Sequence, residues 1–311
     1  MIPFISQLPE GEQVIWIAAL NRVLPNEKIV HINDLKQTEK KYCQLAIVAN
    51  PNTELLTEFE NITWLHSVWA GVENLMQSLA DSPIEVVRLI DSSLSKTMAE
   101  AALAWSLYLH RDMPRYAKQQ KNNHWLQHQH VPANERRIGI LGFGELGQAS
   151  AKQLQQNGFK VMAWSRTAKS FNNISTYNGD SGLADMVAQS DILLCLLPLT
   201  PTTRGIVNKE LLAQLPQGSA IINFARGGII NTEALLSALN TNHISHAVLD
   251  VFEHEPLAVN STLWQHPNIT ILPHISAPTN LNSACEIVAK NILNFRVTGQ
   301  IPKTVSKVNG Y

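Results

Sequence analysis

The chain has 311 residues, of which 45% are hydrophobic and 16% charged, and its formal net charge at pH 7 is -1. This length predicts two domains, and the composition excludes an intrinsically disordered chain. Because 24 basic residues nearly balance 25 acidic ones, bulk charge offers no attraction for nucleic acid or for an anionic membrane. No apolar run approaches the roughly 20 residues that a helix needs to cross a bilayer.

Cysteine content and the N-terminus bear on the compartment of the protein. Only three cysteines occur, Cys43, Cys195 and Cys285, and the first two lie in apolar, strand-like runs. A widely spaced, odd set of this kind is typical of buried free thiols in a reducing environment. Residues 1–4 show no basic segment ahead of an apolar stretch, so no secretory signal is predicted and we expect a cytoplasmic protein.

Strand-like and helix-like patterns alternate along the first hundred residues. The predicted strands are Ile29–Ile32, Leu45–Ala49, Thr63–Val68 and Glu85–Leu89. The predicted helices are Glu12–Leu24, Thr53–Phe59, Gly71–Leu79 and the long stretch Lys96–Lys118, which Pro114 interrupts. Alternation of this kind favours a parallel sheet with crossover helices.

A second alternating series begins at Arg137. Its predicted strands are Arg137–Leu141, Lys160–Ser165, Asp191–Leu196, Ala220–Phe224, His246–Val251 and Ile269–Leu272. Its predicted helices are Glu145–Asn157, Ser181–Gln189, Lys209–Leu215, Thr232–Leu239 and Thr279–Val297. The predicted fold class is therefore α/β, with two doubly wound parallel-sheet domains.

The segment Arg137–Gly147 joins a strand, a glycine-rich turn and the start of a helix. Gly142, Gly144 and Gly147 form a G-x-G-x-x-G pattern, and Leu146 begins an apolar helical face. Gly142 permits a tight turn, Gly144 lets the backbone approach a pyrophosphate, and Gly147 allows close packing of helix on strand. Because the helix N-terminus adds amide donors, the pattern predicts a dinucleotide site. An ordinary strand–turn–helix unit is the alternative.

The end of the next strand bears on which dinucleotide is bound. NAD-binding units usually carry Asp or Glu there, to hold the ribose 2′-hydroxyl. This strand ends in Ser165, and Arg166 and Thr167 follow. Without the acid a 2′-phosphate meets no repulsion, and the arginine fork can grip it. We therefore predict NADPH as the cofactor and NADH as a weaker one. Solvated residues at a strand end are the alternative.

Arg226, Glu255 and His274 each come shortly after a predicted strand of the second series. In a parallel sheet the C-terminal strand ends share one edge, so these side chains can converge. Their chemistry fits the reduction of a 2-keto acid, in which Arg226 would bind the carboxylate and polarise the carbonyl. His274 would donate a proton, and Glu255 would orient the imidazole. An ion pair at Arg226 and a structural histidine at His274 are the alternatives.

Five longer motifs occur in a fixed order along most of the chain. They are Gly139–Gly147, Leu197–Thr203, Asn223–Gly227, Leu249–Pro256 and Leu272–Ile275. In this order they resemble the D-isomer-specific 2-hydroxyacid dehydrogenase family. Within that family the chain is similar to the glyoxylate/hydroxypyruvate reductase A branch, through the runs Trp164–Thr167, Leu263–Pro267 and Gly310-Tyr311.

The resemblance implies a role for each matching residue. Arg226, Glu255 and His274 would be catalytic, the last two as a paired acid–base unit, and Asp250 would hold the nicotinamide carboxamide. The other cofactor-binding residues would be Gly142, Gly144, Leu146, Gly147, Ser165, Arg166, Thr167, Leu197, Pro198, Thr203, Phe224, Ala225 and Met98. Besides Arg226, the substrate carboxylate would be bound by backbone N–H groups of the loop Ala70, Gly71 and Val72.

The resemblance also implies the domain organisation. Residues 1–97 with 283–311 would form a flavodoxin-like substrate domain, and 98–282 a Rossmann dinucleotide-binding domain, with the active site in the cleft. A homodimer is expected, with a small 2-keto acid as the substrate and with neither nucleic acid nor membrane as a partner. No metal site is predicted, because His124, His128 and His130 lack a Cys or carboxylate at ligand spacing.

The predicted reaction is NADPH-dependent reduction of glyoxylate to glycolate or of hydroxypyruvate to glycerate. Two alternatives stay open. One is a D-lactate-type reductase that acts on a larger keto acid. The other is a nucleotide-sensing binding protein of the corepressor type, which would keep the same three residues without turnover.

Overall fold

The computed structural model describes residues 1–171 and 173–307 of the protein. The chain divides into two units: Met1–Ser93 together with the segment that begins at Thr279, and Leu94–Pro278. The motif Gly310-Tyr311, which forms the end of the predicted 283–311 segment, lies outside the described residues.

The two units share an alternation of strands and helices. The strands are β1 (Ile2–Ser6), β2 (Ile29–His31), β3 (Leu45–Ala49), β4 (Trp64–Ser67), β5 (Glu85–Val87), β6 (Arg137–Leu141), β7 (Lys160–Ser165), β8 (Ser175–Asn178), β9 (Ile192–Cys195), β10 (Ser219–Asn223), β11 (Ile244–Leu249) and β12 (Ile269–Ile271). The helices are α1 (Glu10–Val23), α2 (Gln37–Lys40), α3 (Glu73–Ser78), α4 (Ser92–His110), α5 (Met113–Lys121), α6 (Glu145–Gln156), α7 (Gly179–Val187), α8 (Lys209–Gln214), α9 (Thr232–Asn240) and α10 (Leu281–Thr298).

Each unit is built on one parallel sheet. The five strands of the first unit follow the order β2-β1-β3-β4-β5, which is the flavodoxin-like arrangement. The seven strands of the second follow β12-β11-β10-β9-β6-β7-β8, the Rossmann order extended by one strand. The predicted fold class, two doubly wound parallel-sheet α/β domains, is therefore confirmed.

Apolar side chains cover both faces of each sheet. In the second unit α4 and α6 pack on one face of the sheet, and α7, α8 and α9 pack on the other. In the first unit α1 and α10 share a face, where Trp16 and Leu20 pack in one cluster with Val288 and Ile292. All three cysteines are free and buried, as predicted for Cys43 and Cys195.

Two strands were missed by the sequence analysis, each for a physical reason. Pro3 argues against a strand, yet β1 is an inner strand that pairs with β2 over Ile2–Phe4 and with β3 over Phe4–Ser6. The Ile2 N–H donates towards β2, at 2.9 Å from the Lys28 carbonyl oxygen, so the Pro3 nitrogen faces β3, whose pairing starts only at Phe4. Proline therefore costs no ladder hydrogen bond. The second strand, β8, lies at the sheet edge, where polar residues are tolerated.

Two predicted helices were wrong in extent or type. The stretch Lys96–Lys118 forms α4 and α5, because Asp112 turns into the left-handed region with φ 54° and Pro114 lies in the first turn of the next helix. The stretch predicted as Thr53–Phe59 is a 3₁₀ helix over Thr53–Glu58. Within the described ranges, no helix combines the length and the apolar character needed to cross a membrane.

Candidate active site

The glycine-rich turn connects β6 to α6, and the glycines are required by contacts of the backbone. Gly142 has φ 107°, and a Cβ there would lie 2.6 Å from the Leu196 carbonyl oxygen. A Cβ on Gly147 would lie 2.0 Å from the Gly142 carbonyl oxygen, so any side chain would push the helix off the turn. Gly144 has open space where a Cβ would be, which leaves its backbone approachable from outside.

The first turn of α6 offers donors to an anion. The helix begins at Glu145, and no side chain caps it at Gly144. The first N–H groups of a helix have no partner within the helix, and they carry its positive dipole end. The end of the turn therefore has the chemistry of a phosphate site.

The segment after β7 is fastened to this turn. Ser165 is buried, and its hydroxyl donates to the Thr167 carbonyl oxygen at 2.8 Å, while Arg166 and Thr167 are exposed. The Lys169 ammonium donates to the Phe143 carbonyl oxygen at 2.6 Å. Such a contact has no counterpart in the sequence pattern, because a hydrogen bond to a backbone oxygen does not depend on the residue type of the acceptor.

His274 and Glu255 form a hydrogen-bonded pair. The His274 Nδ1 lies 2.7 Å from Glu255 Oε2, and the Phe252 N–H donates to Glu255 Oε1 at 2.9 Å. Their side chains are 52% and 35% exposed. Because an ionised carboxylate only accepts, Nδ1 carries a proton, and Nε2 is left to exchange a proton with a ligand.

The charges around this pair set its protonation. The hydrogen bond that His274 donates to Glu255 and the negative charge of Glu255 raise the pKa of His274 above its usual value, against burial and the charge of Arg226. Burial alone would raise the pKa of Glu255, but the hydrogen bonds from His274 and Phe252 and the positive charges of His274 and Arg226 lower it. The pair therefore favours a protonated imidazole beside an ionised carboxylate.

Asp250, just past the end of β11, holds the loop that carries His274. It is 2% exposed, and its carboxylate accepts from the Ile275 N–H at 2.7 Å and from the Ser276 N–H at 2.9 Å. Its carbonyl oxygen accepts from the His274 N–H at 2.9 Å. His274 has φ 55°, a conformation that a non-glycine residue rarely adopts, so the three bonds hold it in that conformation. Each carboxylate oxygen keeps a lone pair for a further donor.

Arg226 lies in the loop after β10, close enough for its charge to act on both members of the pair. Its Nη1 donates to the Ala225 carbonyl oxygen at 2.7 Å. A Cβ on the next residue, Gly227, would lie 2.0 Å from the Phe252 carbonyl carbon. The loops that carry Arg226 and Glu255 are therefore in direct backbone contact.

The remaining predicted cofactor residues of this unit lie on α4, on α6 and in the loops after β9 and β10. Those that are buried are Met98, Leu197, Phe224 and Ala225, and those partly buried are Leu146, Pro198 and Thr203. The Thr203 hydroxyl donates to the Pro198 carbonyl oxygen at 2.6 Å and accepts from the Thr200 N–H at 2.8 Å. Its observed contacts thus hold the loop after β9 in shape.

The predicted carboxylate loop lies in the first unit, between β4 and α3. Ala70 and Gly71 are partly buried, and Val72 is buried directly before the helix. Among the hydrogen bonds of residues 1–171 and 173–307, none is donated by the N–H groups of Ala70, Gly71 or Val72. The loop therefore has donors to offer to an anion.

One edge of the seven-stranded sheet brings the predicted residues of the second unit together. The glycine-rich turn follows β6, and Ser165 ends β7. The loops after β10, β11 and β12 supply Arg226, Glu255 and His274. A cluster of His, Cys, Asp or Glu suited to a metal ion is not found in the part of the chain that the structure describes. The edge thus places the glycine-rich turn, the His274–Glu255 pair and a guanidinium in one unit.

A family model and three solved structures match this arrangement. Residues 103–276 match the model of the D-isomer specific 2-hydroxyacid dehydrogenase, NAD binding domain. The family protein from Xanthobacter autotrophicus Py2, solved with NADPH and MES, is 34% identical, with a TM-score of 0.92 and coverage of 100% of this chain and 99% of that one. The NADPH-dependent glyoxylate/hydroxypyruvate reductase from Sinorhizobium meliloti, solved with NADP and sulfate, is 30% identical, with a TM-score of 0.90 and full coverage of both chains.

A third structure extends this agreement. The probable 2-hydroxyacid dehydrogenase from Rhizobium etli CFN 42, solved with NADP, HEPES and L(+)-tartaric acid, is 28% identical, with a TM-score of 0.88 over 100% of this chain and 99% of that one. The model covers more than half of the chain, and the likeness runs from end to end. The chain therefore belongs to the D-isomer specific 2-hydroxyacid dehydrogenase family and is an NAD(P)-dependent oxidoreductase.

Proposed function

We propose that the protein reduces a small 2-keto acid with NADPH, converting glyoxylate to glycolate or hydroxypyruvate to glycerate. The observation that carries this proposal is the His274–Glu255 pair at 2.7 Å, with the charge of Arg226 acting on both. A proton donor beside a guanidinium suits a substrate that has both a carbonyl and a carboxylate. The similarity to the S. meliloti reductase supports the choice of substrates.

The nucleotide site fits NADPH. The open backbone at Gly144 and the uncapped start of α6 suit a pyrophosphate, and the end of β7 has Ser165, Arg166 and Thr167 where NAD enzymes have an acid. NADPH or NADP is bound in the structures from X. autotrophicus, S. meliloti and R. etli. When bound, the nicotinamide supplies the hydride.

We assign further contacts with the nucleotide to residues at the same sheet edge. The lone pairs that remain on the Asp250 carboxylate suit the nicotinamide carboxamide. The other lining residues proposed are Met98, Leu146, Gly147, Leu197, Pro198, Thr203, Phe224 and Ala225.

The chain's own residues divide the work of the reduction. Arg226 binds the keto-acid carboxylate and polarises the carbonyl, and the free N–H groups of the loop Ala70–Val72 are proposed to bind the carboxylate too. His274 gives the proton on Nε2 to the carbonyl oxygen as negative charge develops there. Glu255 holds the imidazole through Nδ1 and favours its protonated form.

Turnover with a panel of keto acids tests this function. The loss of reduced nicotinamide absorbance is followed with NADPH and with NADH, using glyoxylate, hydroxypyruvate, pyruvate and phenylpyruvate. We expect the highest kcat/KM with NADPH and one of the first two substrates. Preference for phenylpyruvate would favour the D-lactate-type alternative, and tight nucleotide binding without turnover would favour a sensor of the corepressor type.

We also propose that the protein is a homodimer, joined through α5 and the segment after it. Trp125 is 95% exposed, and Leu126 beside it and Met113 at the start of α5 are about half exposed. Exposed apolar side chains of this size are typical of an interaction surface. Trp105 and Tyr108, by contrast, pack onto the core of their own unit.

Light scattering tests the proposed dimer. It should give twice the chain mass for the wild type, and Trp125→Ser should lower the measured mass. Val259→Ser, at a residue 97% exposed, is the control.

A further inference from the structure

The side chain of Asn223 lies inside the turn that leads from β10 to Arg226. Asn223 is the last residue of the strand and is 1% exposed. Its Oδ1 accepts from the Ala225 N–H at 3.1 Å, and its Nδ2 donates to the Arg226 carbonyl oxygen at 3.0 Å. One buried amide therefore holds both ends of the turn.

The same turn determines the direction of the guanidinium. The Ala225 peptide is held on its N–H side by Asn223, and its carbonyl oxygen accepts from Arg226 Nη1 at 2.7 Å. A rotation of that peptide would move the Ala225 carbonyl oxygen, which accepts the hydrogen bond from the Arg226 guanidinium. The orientation of the fork thus depends on the amide of Asn223.

The turn is also fixed against the loop that carries Glu255. Gly227 approaches the Phe252–Glu253 peptide so closely that a Cβ would lie 2.2 Å from the Glu253 nitrogen. The Phe252 N–H donates to Glu255 at 2.9 Å. The Gly227 contact fixes the backbone after Arg226, and the Asn223 amide fixes the backbone before it.

We propose that Asn223 is a positioning residue, which acts on the keto acid only through Arg226. This inference rests on the proposed role of Arg226 in binding the keto-acid carboxylate. Loss of the amide leaves the Ala225 N–H without its partner and removes one of two donors to the Arg226 carbonyl oxygen, which keeps the Ile229 N–H at 3.1 Å. The turn then rearranges to satisfy the buried Ala225 N–H. The fork then leaves the position from which it binds the substrate.

Two variants and a matched control separate positioning from stability. Asn223→Ala removes both bonds, whereas Asn223→Ser keeps a hydroxyl that can accept from the Ala225 N–H. Asn231→Ala is the control, because Asn231 also accepts a backbone N–H, that of Ala234 at 2.9 Å, but caps α9 instead of holding the turn.

The kinetic expectation follows from misplacing a binding group by about 1 Å. For Asn223→Ala, kcat/KM for glyoxylate and hydroxypyruvate should fall about 100-fold. Asn223→Ser should recover part of the loss, and Asn231→Ala should keep native kinetics. Because Phe224 and Ala225 are also proposed to line the nucleotide, isothermal titration calorimetry without a keto acid should show a rise in the NADPH Kd of Asn223→Ala far smaller than the loss of kcat/KM. Asn231→Ala should keep the wild-type Kd.

The pH dependence of kcat/KM distinguishes positioning from stability. If Asn223 only stabilised the fold, its loss would leave that pH dependence unchanged. His274 faces the negative charges of Glu255 and Asp250 and the positive charge of Arg226, which lowers its pKa. If the fork moves away, the alkaline limb of kcat/KM should shift to higher pH in Asn223→Ala and stay in place in Asn231→Ala.

The variant Arg226→Gln separates a failure of the proposed function from a failure of the inference about Asn223. If Arg226→Gln keeps native kcat/KM, the proposed role of Arg226 fails, and the inference fails with it. If Arg226→Gln loses activity while Asn223→Ala behaves like Asn231→Ala, only the inference is overturned. A rise in the NADPH Kd of Asn223→Ala as large as its loss of kcat/KM, or an unmoved alkaline limb, would also overturn it.

Discussion

The glycine-rich turn Gly142–Gly147 and the Arg226–Glu255–His274 group lie at one edge of the seven-stranded sheet but are built in opposite ways. The turn is contiguous in sequence, and its shape depends on missing side chains, as the 2.0 Å approach of a Cβ on Gly147 shows. The second group takes one side chain from each of three loops and depends on hydrogen bonds and charge. Steric exclusion forms the first region, and chain topology assembles the second.

This difference predicts two kinds of mutational response. Changes that add atoms to the turn should act on folding or on nucleotide binding, since nothing there exchanges protons. Changes at the second region should leave folding unaffected, because Glu255 and His274 are part-exposed, and should act on turnover.

Arg226→Lys should lower kcat/KM for the keto acid about 100- to 1,000-fold, the cost typical of losing one donor to a developing oxyanion. Lysine keeps the charge but loses the planar fork that matches a carboxylate. Thermal unfolding of the free protein should change little. Near-native kcat/KM would show that the fork is not needed, and a large drop in Tm would contradict the division of roles.

Arg166→Ala should raise the KM for NADPH about 10- to 150-fold and leave the KM for NADH almost unchanged. The lost contact would be a charge-assisted hydrogen bond to the 2′-phosphate, worth roughly 1.5–3 kcal/mol. The measurement is a pair of saturation curves at fixed keto acid. Equal losses for the two nucleotides would remove Arg166 as the selector.

The sequence was informative where a local steric rule or an ordered set of motifs applies. Gly142, Gly144 and Gly147 could be assigned because each has a separate requirement in a strand–turn–helix unit. The convergence of Arg226, Glu255 and His274 was expected from the shared edge of parallel strands. The bonds of Asp250 to the backbone of Ile275 and Ser276 were not, because backbone N–H groups carry no residue signature.

The same limit explains the errors in the fold. Asp112 breaks a long helical pattern through its backbone conformation, which its residue type permits but does not require. The edge strand β8, with the sequence STYN, needs no apolar face and so shows no period of two. Pro3 was compatible with a strand only because the Pro3 nitrogen faces a side where pairing has not begun.

Two glycine variants test the steric side of the comparison. Gly147→Ala should destabilise the fold by about 1–3 kcal/mol, the usual cost of overpacking, because its Cβ meets the Gly142 carbonyl. Gly144→Ala meets nothing, so its Tm should stay native while the KM values for NADPH and NADH rise together, about tenfold. If Gly144→Ala raised only the KM for NADPH, a role of Gly144 at the pyrophosphate would be contradicted.

The smallest effect concerns the pH dependence of the His274–Glu255 pair. Reduction needs His274 protonated, and Glu255 raises the pKa of His274, so activity should be high below that pKa and fall as pH rises through it. Glu255→Gln keeps the shape and removes the charge, so the pKa of His274 should fall. The alkaline limb of kcat/KM for reduction should then move to lower pH, by about one unit if some 1.4 kcal/mol of interaction is lost.

Oxidation of the hydroxy acid supplies the opposite test for the same variant. It needs neutral imidazole, so its rate rises through the pKa of His274, and that limb should also move to lower pH in Glu255→Gln. A parallel shift of both limbs identifies one titrating group, because a changed rate-limiting step would move only one. If the reductive limb stays in place or moves upward, Glu255 does not set the protonation of the acid. Glu255 would then only orient the His274 imidazole.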